Sequence, residues 1–340
     1  SKDEMMNERV EMIDGLTDTE RSGEKAFSGG GDYGPVVLYQ GQSFTLVGFG
    51  LFVGIGTLLA VLHAIFYLGA YQIMPQDNQI AQLAITVAIV APISGYIMTR
   101  LLDIRTWLSG EKSFIEYIRT VSFGLWGSLT GGLIVITAFA SINNIALLAL
   151  LDAFALGVPL AQAFGRLGCL NYGCCHGKEC TSHHQPGIRY FDSKTKVLRF
   201  NPELRGKRLH PTQLYSVLAN TVIYLTILTL SIFWDERPVG MLIAMYMGMY
   251  GIKRFNVEFL RGEFPRVYFS GLTIWQWFSV SFIVLGLGIM TYVLSGGMII
   301  GKYSVSEGIQ SLRATLGVLI LAPVIMGLAY GTHGRKIGSW

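Results

Sequence analysis

Runs of about 20 mainly apolar residues constrain this chain more than any other feature, because that length of α-helix crosses the hydrocarbon core of a bilayer. Eight such runs are predicted as spans, at about 43–73, 80–100, 120–140, 144–164, 212–233, 238–260, 272–295 and 311–331. In lipid a spanning segment must satisfy its own backbone hydrogen bonds. The expected fold class is therefore an all-α integral membrane protein of seven to eight transmembrane helices, with a small extramembrane loop or cap region. The count stops short of a firm eight because the last run carries Arg313 near its start. Composition agrees. Only 14% of residues are charged, against about a quarter in soluble domains. A net charge of +4 without a basic tract or finger spacing predicts no nucleic-acid partner.

Three regions are predicted. Residues 1–41 read as a polar extramembrane arm, disordered around Ser28–Gly31, and Ser1 reads as a mark of processing or a tag. The arm lacks the apolar centre of a secretory signal. Residues 42–295 form the transmembrane core, with 165–211 as its loop or cap. Residues 296–340 add a C-terminal transmembrane segment and tail.

Ionisable groups inside spans are costly and mark function by default. Asp152 is one; it reads either as a functional group or as the structural partner of a nearby arginine or backbone group. Arg166 is expected to close its helix and open a glycine-rich loop. There Gly165, Gly168, Gly173 and Gly177 would leave N–H groups free for an anion, beside a guanidinium suited to phosphate. An interfacial, snorkelling arginine is the bland alternative. Arg254, Glu258 and Arg261 recur at i, i+4 and i+7, on one helical face. Two guanidiniums flanking a carboxylate near a bilayer edge suit an anionic ligand; a self-contained ion-pair ladder is the alternative. His210–Ser216 opens the fifth span, where Gln213 and Tyr215 could reach a head group or brace a loop.

All four cysteines fall between 169 and 180. Zinc knuckles space their pairs differently, and adjacent Cys174 and Cys175 would share one tetrahedron awkwardly. No metal and no cofactor is predicted. A disulfide, for example through Cys180, fits an oxidising compartment better.

Four blocks occur in order: "LLDAFALGVPLAQAFGRLGCLNYGCCHG", "HPTQLYS", "RFNVEFLRGEFP" and "GLTIWQWFS". Together they resemble the bacterial prolipoprotein diacylglyceryl transferase family. The resemblance implies a polytopic inner-membrane enzyme. It would transfer the diacylglyceryl group of phosphatidylglycerol to the lipobox cysteine of a prolipoprotein, releasing glycerol phosphate. The implied partners are an anionic phospholipid donor, a lipoprotein precursor or other acceptor, and membrane lipids. By the match of motifs, Arg166 and Arg254 are the essential arginines. Glu258, Arg261, Gly168, Gly177, Asp152 and the Gln213–Tyr215 turn also match family positions. Departures fall around the acceptor. Gly124 stands for a histidine, Val47 for a tyrosine, Cys169 for an asparagine and Cys174 for an acidic residue. His176 or Glu258 is then expected to deprotonate the acceptor. Alternatives are a related phospholipid-dependent transferase with another acceptor, or a non-catalytic lipid-binding membrane protein.

The basic residues collect at one end of the predicted bundle, which the positive-inside rule assigns to the cytoplasm. The resemblance implies the opposite, an extracytoplasmic active face. Because many of these residues belong to the predicted phosphate site, the family orientation is expected.

Overall fold

The structure is a computed structural model that describes residues 32–340 except positions 75, 103, 111, 112, 115, 116, 118–124, 263–267, 335, 336 and 338–340. Most of the predicted arm, residues 1–31, lies outside the described residues, as does Gly124.

The chain is a helical membrane bundle. Its main helices are α1 (Gly48–Ala70), α2 (Asp77–Leu102), α3 (Ile104–Leu108), α4 (Leu125–Asn143), α5 (Leu147–Tyr172), α6 (Lys196–Phe200), α7 (Thr212–Phe233), α8 (Met241–Glu258), α9 (Ile274–Leu294), α10 (Val305–Ala314) and α11 (Leu316–Gly331). Each predicted span falls on one of them. Five are long and apolar enough to cross a bilayer (α1, α2, α5, α7 and α9), and a sixth if α10 and α11, bent by 64°, count as one broken span. The other two predicted spans fall on α4, whose described apolar stretch is shorter, and on α8, which does not reach the same length and apolarity. Helix α8 has 18 residues, about 27 Å. Its last two turns carry Lys253, Arg254 and Glu258, so its charges belong to one end of the bundle.

Packing rests on small residues, as expected where lipid supplies no hydrophobic drive between helices. A Cβ on Gly157 of α5 would stand 2.6 Å from the Ala60 carbonyl oxygen of α1. One on Gly251 of α8 would meet the Ser279 oxygen of α9 at 2.7 Å. These two crossings set the positions of α5 and α8. The core contains Ile65, Leu68, Leu150, Leu156, Ile227 and Leu242, while Leu51, Ile93, Leu133, Leu218 and Leu285 point outward to where lipid would lie.

One end of the bundle carries short strands. Strand β1 (Val37–Gln40) pairs antiparallel with β2 (Thr45–Val47), and β2 pairs with β5 (Thr332–His333), so the C-terminal segment closes a sheet with residues just ahead of α1. The strands β3 (Tyr268–Phe269) and β4 (Leu272–Thr273) form a hairpin ahead of α9. The 173–211 segment caps the same end. Asp32 ties the start of the described chain to it, its Oδ2 accepting the N–H groups of Phe191 (2.7 Å) and Asp192 (2.9 Å). At the opposite end Arg237 is buried, donating to the Tyr67 and Tyr71 hydroxyls at 2.9 and 3.0 Å.

Candidate active site

Helix α5 does not stop at Arg166. It runs six residues further, to Tyr172, and ends on Gly173 in the left-handed conformation (φ 77°), whose N–H bonds the Cys169 carbonyl at 2.9 Å. This corrects the expected anion-binding glycine loop. Gly165 and Gly168 are helical, and Gly168 is buried against Phe49 and Phe52 of α1. The Gly177 N–H is spent on the His210 carbonyl at 3.1 Å. Gly177 is needed for close approach: a Cβ there would sit 2.4 Å from that carbonyl oxygen. Gly168 and Gly177 serve close packing and Gly173 ends the helix, so the glycines do not form an anion-binding loop.

The loop after α5 is stitched to two distant segments. The Lys178 N–H donates to the Leu260 carbonyl at 2.8 Å and Gly262 N–H to the His176 carbonyl at 3.0 Å, an antiparallel bridge that sets Gly177 opposite Arg261. The third segment is the start of α7. Thr212 Oγ1 donates to the Cys175 carbonyl (2.7 Å), and Gln213 Nε2 to the Cys174 carbonyl (2.8 Å). Three chain segments thus converge because their backbones pair.

Arg254 and Glu258 face each other one turn apart near the end of α8, with Nη1 to Oε2 at 2.5 Å. They expose only 8% and 2% of their surface, so this is a buried pair rather than a solvated ladder. Thr273, which caps α9 together with Gln276, also donates to Glu258 Oε1 at 3.5 Å. Arg254 lies over the Trp275 ring at 5.9 Å. Arg261 and Tyr250 share the electrostatic surroundings of Arg254. Tyr250 and Cys175 share those of Arg166. Buried Lys253 lies in electrostatic reach of both Arg166 and Arg254. Its Nζ donates to Asn220 Oδ1 at 2.9 Å and sits 4.1 Å from the Tyr250 ring centre. Arg166, Lys253, Arg254, Arg261 and Glu258 therefore occupy one polar region at the strand-bearing end of the bundle.

Lys253 is the residue that sequence reasoning missed, counting it only toward charge asymmetry. The available signal was Asn220, a polar side chain in the middle of an apolar run that needed a partner.

Other predicted residues lie elsewhere or act indirectly. Asp152 sits 14 residues before Arg166, about 21 Å along the helix axis. Its carboxylate accepts Gly240 N–H (2.7 Å) and Ile243 N–H (2.9 Å), capping the N-terminus of α8. This is the backbone-partner role. Gln213 is buried and braces the cysteine loop. Tyr215 is half-buried beside Cys180 on the cap. His176 is buried, its Nδ1 3.0 Å from the Gly177 carbonyl oxygen. That contact calls for a proton on Nδ1 and leaves Nε2 as the basic nitrogen.

All four cysteines are free, so the expected disulfide is not formed. Cys180 stands apart on the cap, with its thiol directed at the Pro186 carbonyl oxygen (3.6 Å). The sulfurs of Cys169, Cys174 and Cys175 lie within 4.8 Å of one another. The adjacency of Cys174 and Cys175 does not prevent this. Gly173 turns the chain back over the helix end, bringing Cys174 N–H to the Cys169 carbonyl (3.1 Å), and Cys175 itself adopts a left-handed backbone (φ 57°). The Cys175 thiol is held well below the usual range by hydrogen bonds from Cys169 and Cys174, with the Arg261 and Arg166 charges adding to the effect.

The profile of the prolipoprotein diacylglyceryl transferase family matches residues 35–292. The chain is 28% identical over 254 residues to the phosphatidylglycerol–prolipoprotein diacylglyceryl transferase of Clostridium tetani, covering 74% of this chain and 94% of that protein. It is 31% identical over 261 residues to phosphatidylglycerol–prolipoprotein diacylglyceryl transferase 2 of Clostridium perfringens, covering 76% and 94%. With the Streptococcus sanguinis protein of the same name it shares 28% over 249 residues, 70% and 87% of the two chains.

Proposed function

The chain belongs to the prolipoprotein diacylglyceryl transferase family, and from that premise we propose that Arg166, Arg254 and Arg261 hold the phosphate of the lipid donor, with Glu258 and Lys253 shaping the pocket. The protein is a multi-pass membrane transferase, and its reaction moves the diacylglyceryl group of phosphatidylglycerol to a prolipoprotein.

The chemistry asks for such a pocket. The acceptor sulfur attacks the glyceryl carbon, the carbon–oxygen bond to phosphate breaks, and negative charge grows on the departing glycerol phosphate. Guanidiniums fixed in a site of low dielectric stabilise that charge without reorganising. Their planar forks match phosphate oxygens in a way an ammonium does not. Glu258 holds Arg254 in one orientation. His176, through Nε2, is the proposed base for the acceptor thiol. Gly168, Gly177, Gln213 and Asp152 act through others, setting helix contacts, loop position and the start of α8; Tyr215 borders the cap. The donor's acyl chains lie between helices, and the membrane is the bacterial inner membrane with this site on its extracytoplasmic face.

The observation that carries the site assignment is the gathering of four basic side chains and one carboxylate, from α5, α8 and the loop after α8, at one end of a membrane bundle. The test is incubation of purified protein with labelled phosphatidylglycerol and a lipobox peptide. Glycerol phosphate release together with a peptide mass gain of one diacylglyceryl group is expected. Bound but uncleaved lipid would overturn the catalytic reading.

A further inference from the structure

We propose that Cys169, Cys174 and Cys175 form a three-thiolate site for a zinc-class divalent cation, whose fourth position takes the thiol of the acceptor. The role for the acceptor rests on the transferase reading above; binding of the cation does not.

The geometry is close to what such an ion needs. Zinc–sulfur bonds of about 2.3 Å in a tetrahedron separate the sulfurs by about 3.8 Å. The three sulfurs here lie within 4.8 Å of one another, so small side-chain rotations close the site. The backbone that presents them is fixed on both sides. Cys169 is in the last turn of α5, Gly173 forms the helix cap, and the Cys174 and Cys175 carbonyls are clamped by Gln213 and Thr212. The fourth cysteine is not part of the cluster.

The surroundings favour anionic sulfur. Three thiolates on a dication carry a net charge of −1, and Arg166 and Arg261 both lie in electrostatic reach of Cys175. The site is closed on one side and open on the other. Cys169 and Cys174 are buried, whereas Cys175 is partly exposed. Structural zinc sites are closed by four protein ligands; three ligands and a free position are the mark of a catalytic one. The free position therefore lies on the Cys175 side, toward the guanidiniums assigned to the donor phosphate. A soft cation with soft ligands selects a thiol as its fourth partner, and a coordinated thiol loses its proton.

The step balances without a redox partner. As the acceptor thiol binds the cation, its proton passes to His176 Nε2, the base proposed above, and from there to water. The metal-bound sulfur uses a lone pair to form the new sulfur–carbon bond at the glyceryl carbon. The carbon–oxygen bond to phosphate breaks, and its electron pair stays on glycerol phosphate beside Arg166 and Arg254. The thioether product is a weak ligand and dissociates, and the cation keeps its oxidation state.

The test uses the full chain in detergent, purified under reducing conditions without chelator. Elemental analysis should find one zinc per chain, lost in Cys169→Ser and Cys174→Ser. Metal-stripped protein reloaded with cobalt(II) should gain a thiolate-to-cobalt charge-transfer band. A lipobox peptide should perturb its visible ligand-field bands, and the same peptide with serine for cysteine should not. Stripping should lower transfer at least 100-fold, and zinc should restore it. Thermal melting of the serine variants should match that of stripped wild type, which separates metal loss from misfolding. Three freely titrating thiols with no bound metal would overturn the site, as would a Cys169–Cys174 disulfide in protein alkylated at lysis. A cobalt spectrum blind to the thiol peptide would overturn the acceptor role. Metal and peptide bound without consumption of phosphatidylglycerol would count for the site and against the transferase reading.

Discussion

Taking a guanidinium–carboxylate pair out of water is costly, and such a pair contributes little stability compared with apolar residues of the same size. The Arg254–Glu258 pair is buried nonetheless, and it stands with Arg166, Lys253 and Arg261. Among these five groups three guanidiniums stand against one carboxylate, an imbalance suited to a doubly anionic leaving group. Arg254→Ala and Arg166→Ala should each lower turnover by about 100-fold or more, the usual cost of removing one preorganised donor to a developing anion. Arg254→Lys should restore little, because an ammonium cannot replace the planar fork. Glycerol phosphate release measures all three variants, and wild-type rates in either alanine variant would sink the assignment. His176→Ala should abolish transfer while binding of labelled donor persists; loss of donor binding would assign His176 to the donor pocket instead. At this scale the sequence was informative where charge sat in an apolar run, as with Arg254, Glu258 and Arg166. It was silent where contact decides. Lys253 belongs to the site because Asn220, 33 positions earlier, meets it across a helix interface.

Helices were legible because membrane spans announce themselves by length and hydropathy, and their ends were not. Glycine in a spanning helix and glycine in a loop look alike in sequence, so α5 was expected to stop at Arg166, whereas Gly168 lets it pack closely on α1 and continue. Asp152 is the converse case. Its family match reads as substrate binding, but its carboxylate caps α8. Asp152→Ala should therefore destabilise the protein by about 1–2 kcal/mol, as loss of a cap does, and leave KM for phosphatidylglycerol unchanged; a rise in KM with unaltered melting would restore the ligand role. Strand β5 adds a pH dependence. Burial, and then the Arg199 charge, lower the His333 pKa from 6.5 to about 4. A histidine with a depressed folded-state value binds fewer protons folded than unfolded. Its contribution is complete above pH 6.5 and is lost as pH falls toward 4. The loss reaches at most about 2.5 kcal/mol by pH 4.5. Melting curves in detergent should show this drop, and His333→Gln should flatten it.

The whole molecule has two unlike ends, and which of them faces outward is a prediction at this scale. One end gathers Arg166, Lys253, Arg254 and Arg261 with the cap; the other keeps Arg237 buried among the Tyr67 and Tyr71 hydroxyls. The positive-inside rule counts cations in short loops that stay behind during insertion. Neither set qualifies as such a marker. The first group is assigned to the proposed donor-phosphate site, and Arg237 is a structural tie between α1 and the turn before α8. With both sets removed from the count, the cap still carries Lys178, Arg189, Lys194, Lys196, Arg199, Arg205, Lys207 and Arg208, so charge asymmetry alone would assign this end to the cytoplasm. The acceptor proposed above asks for the opposite orientation: a lipobox cysteine carried on an exported precursor is reached only if the cap faces outward, and that orientation is the prediction. Cys180 on the cap is the native reporter, and Lys302→Cys supplies one on the exposed opposite end. In intact cells a membrane-impermeant maleimide should label Cys180 and spare the cysteine introduced at 302, with both labelled after permeabilisation. Cys180→Ser, which removes the cap signal, assigns any residual labelling to the buried cluster. Labelling at 302 with Cys180 protected would place the cap in the cytoplasm, out of reach of an exported acceptor, and would leave the phosphate pocket serving a different one.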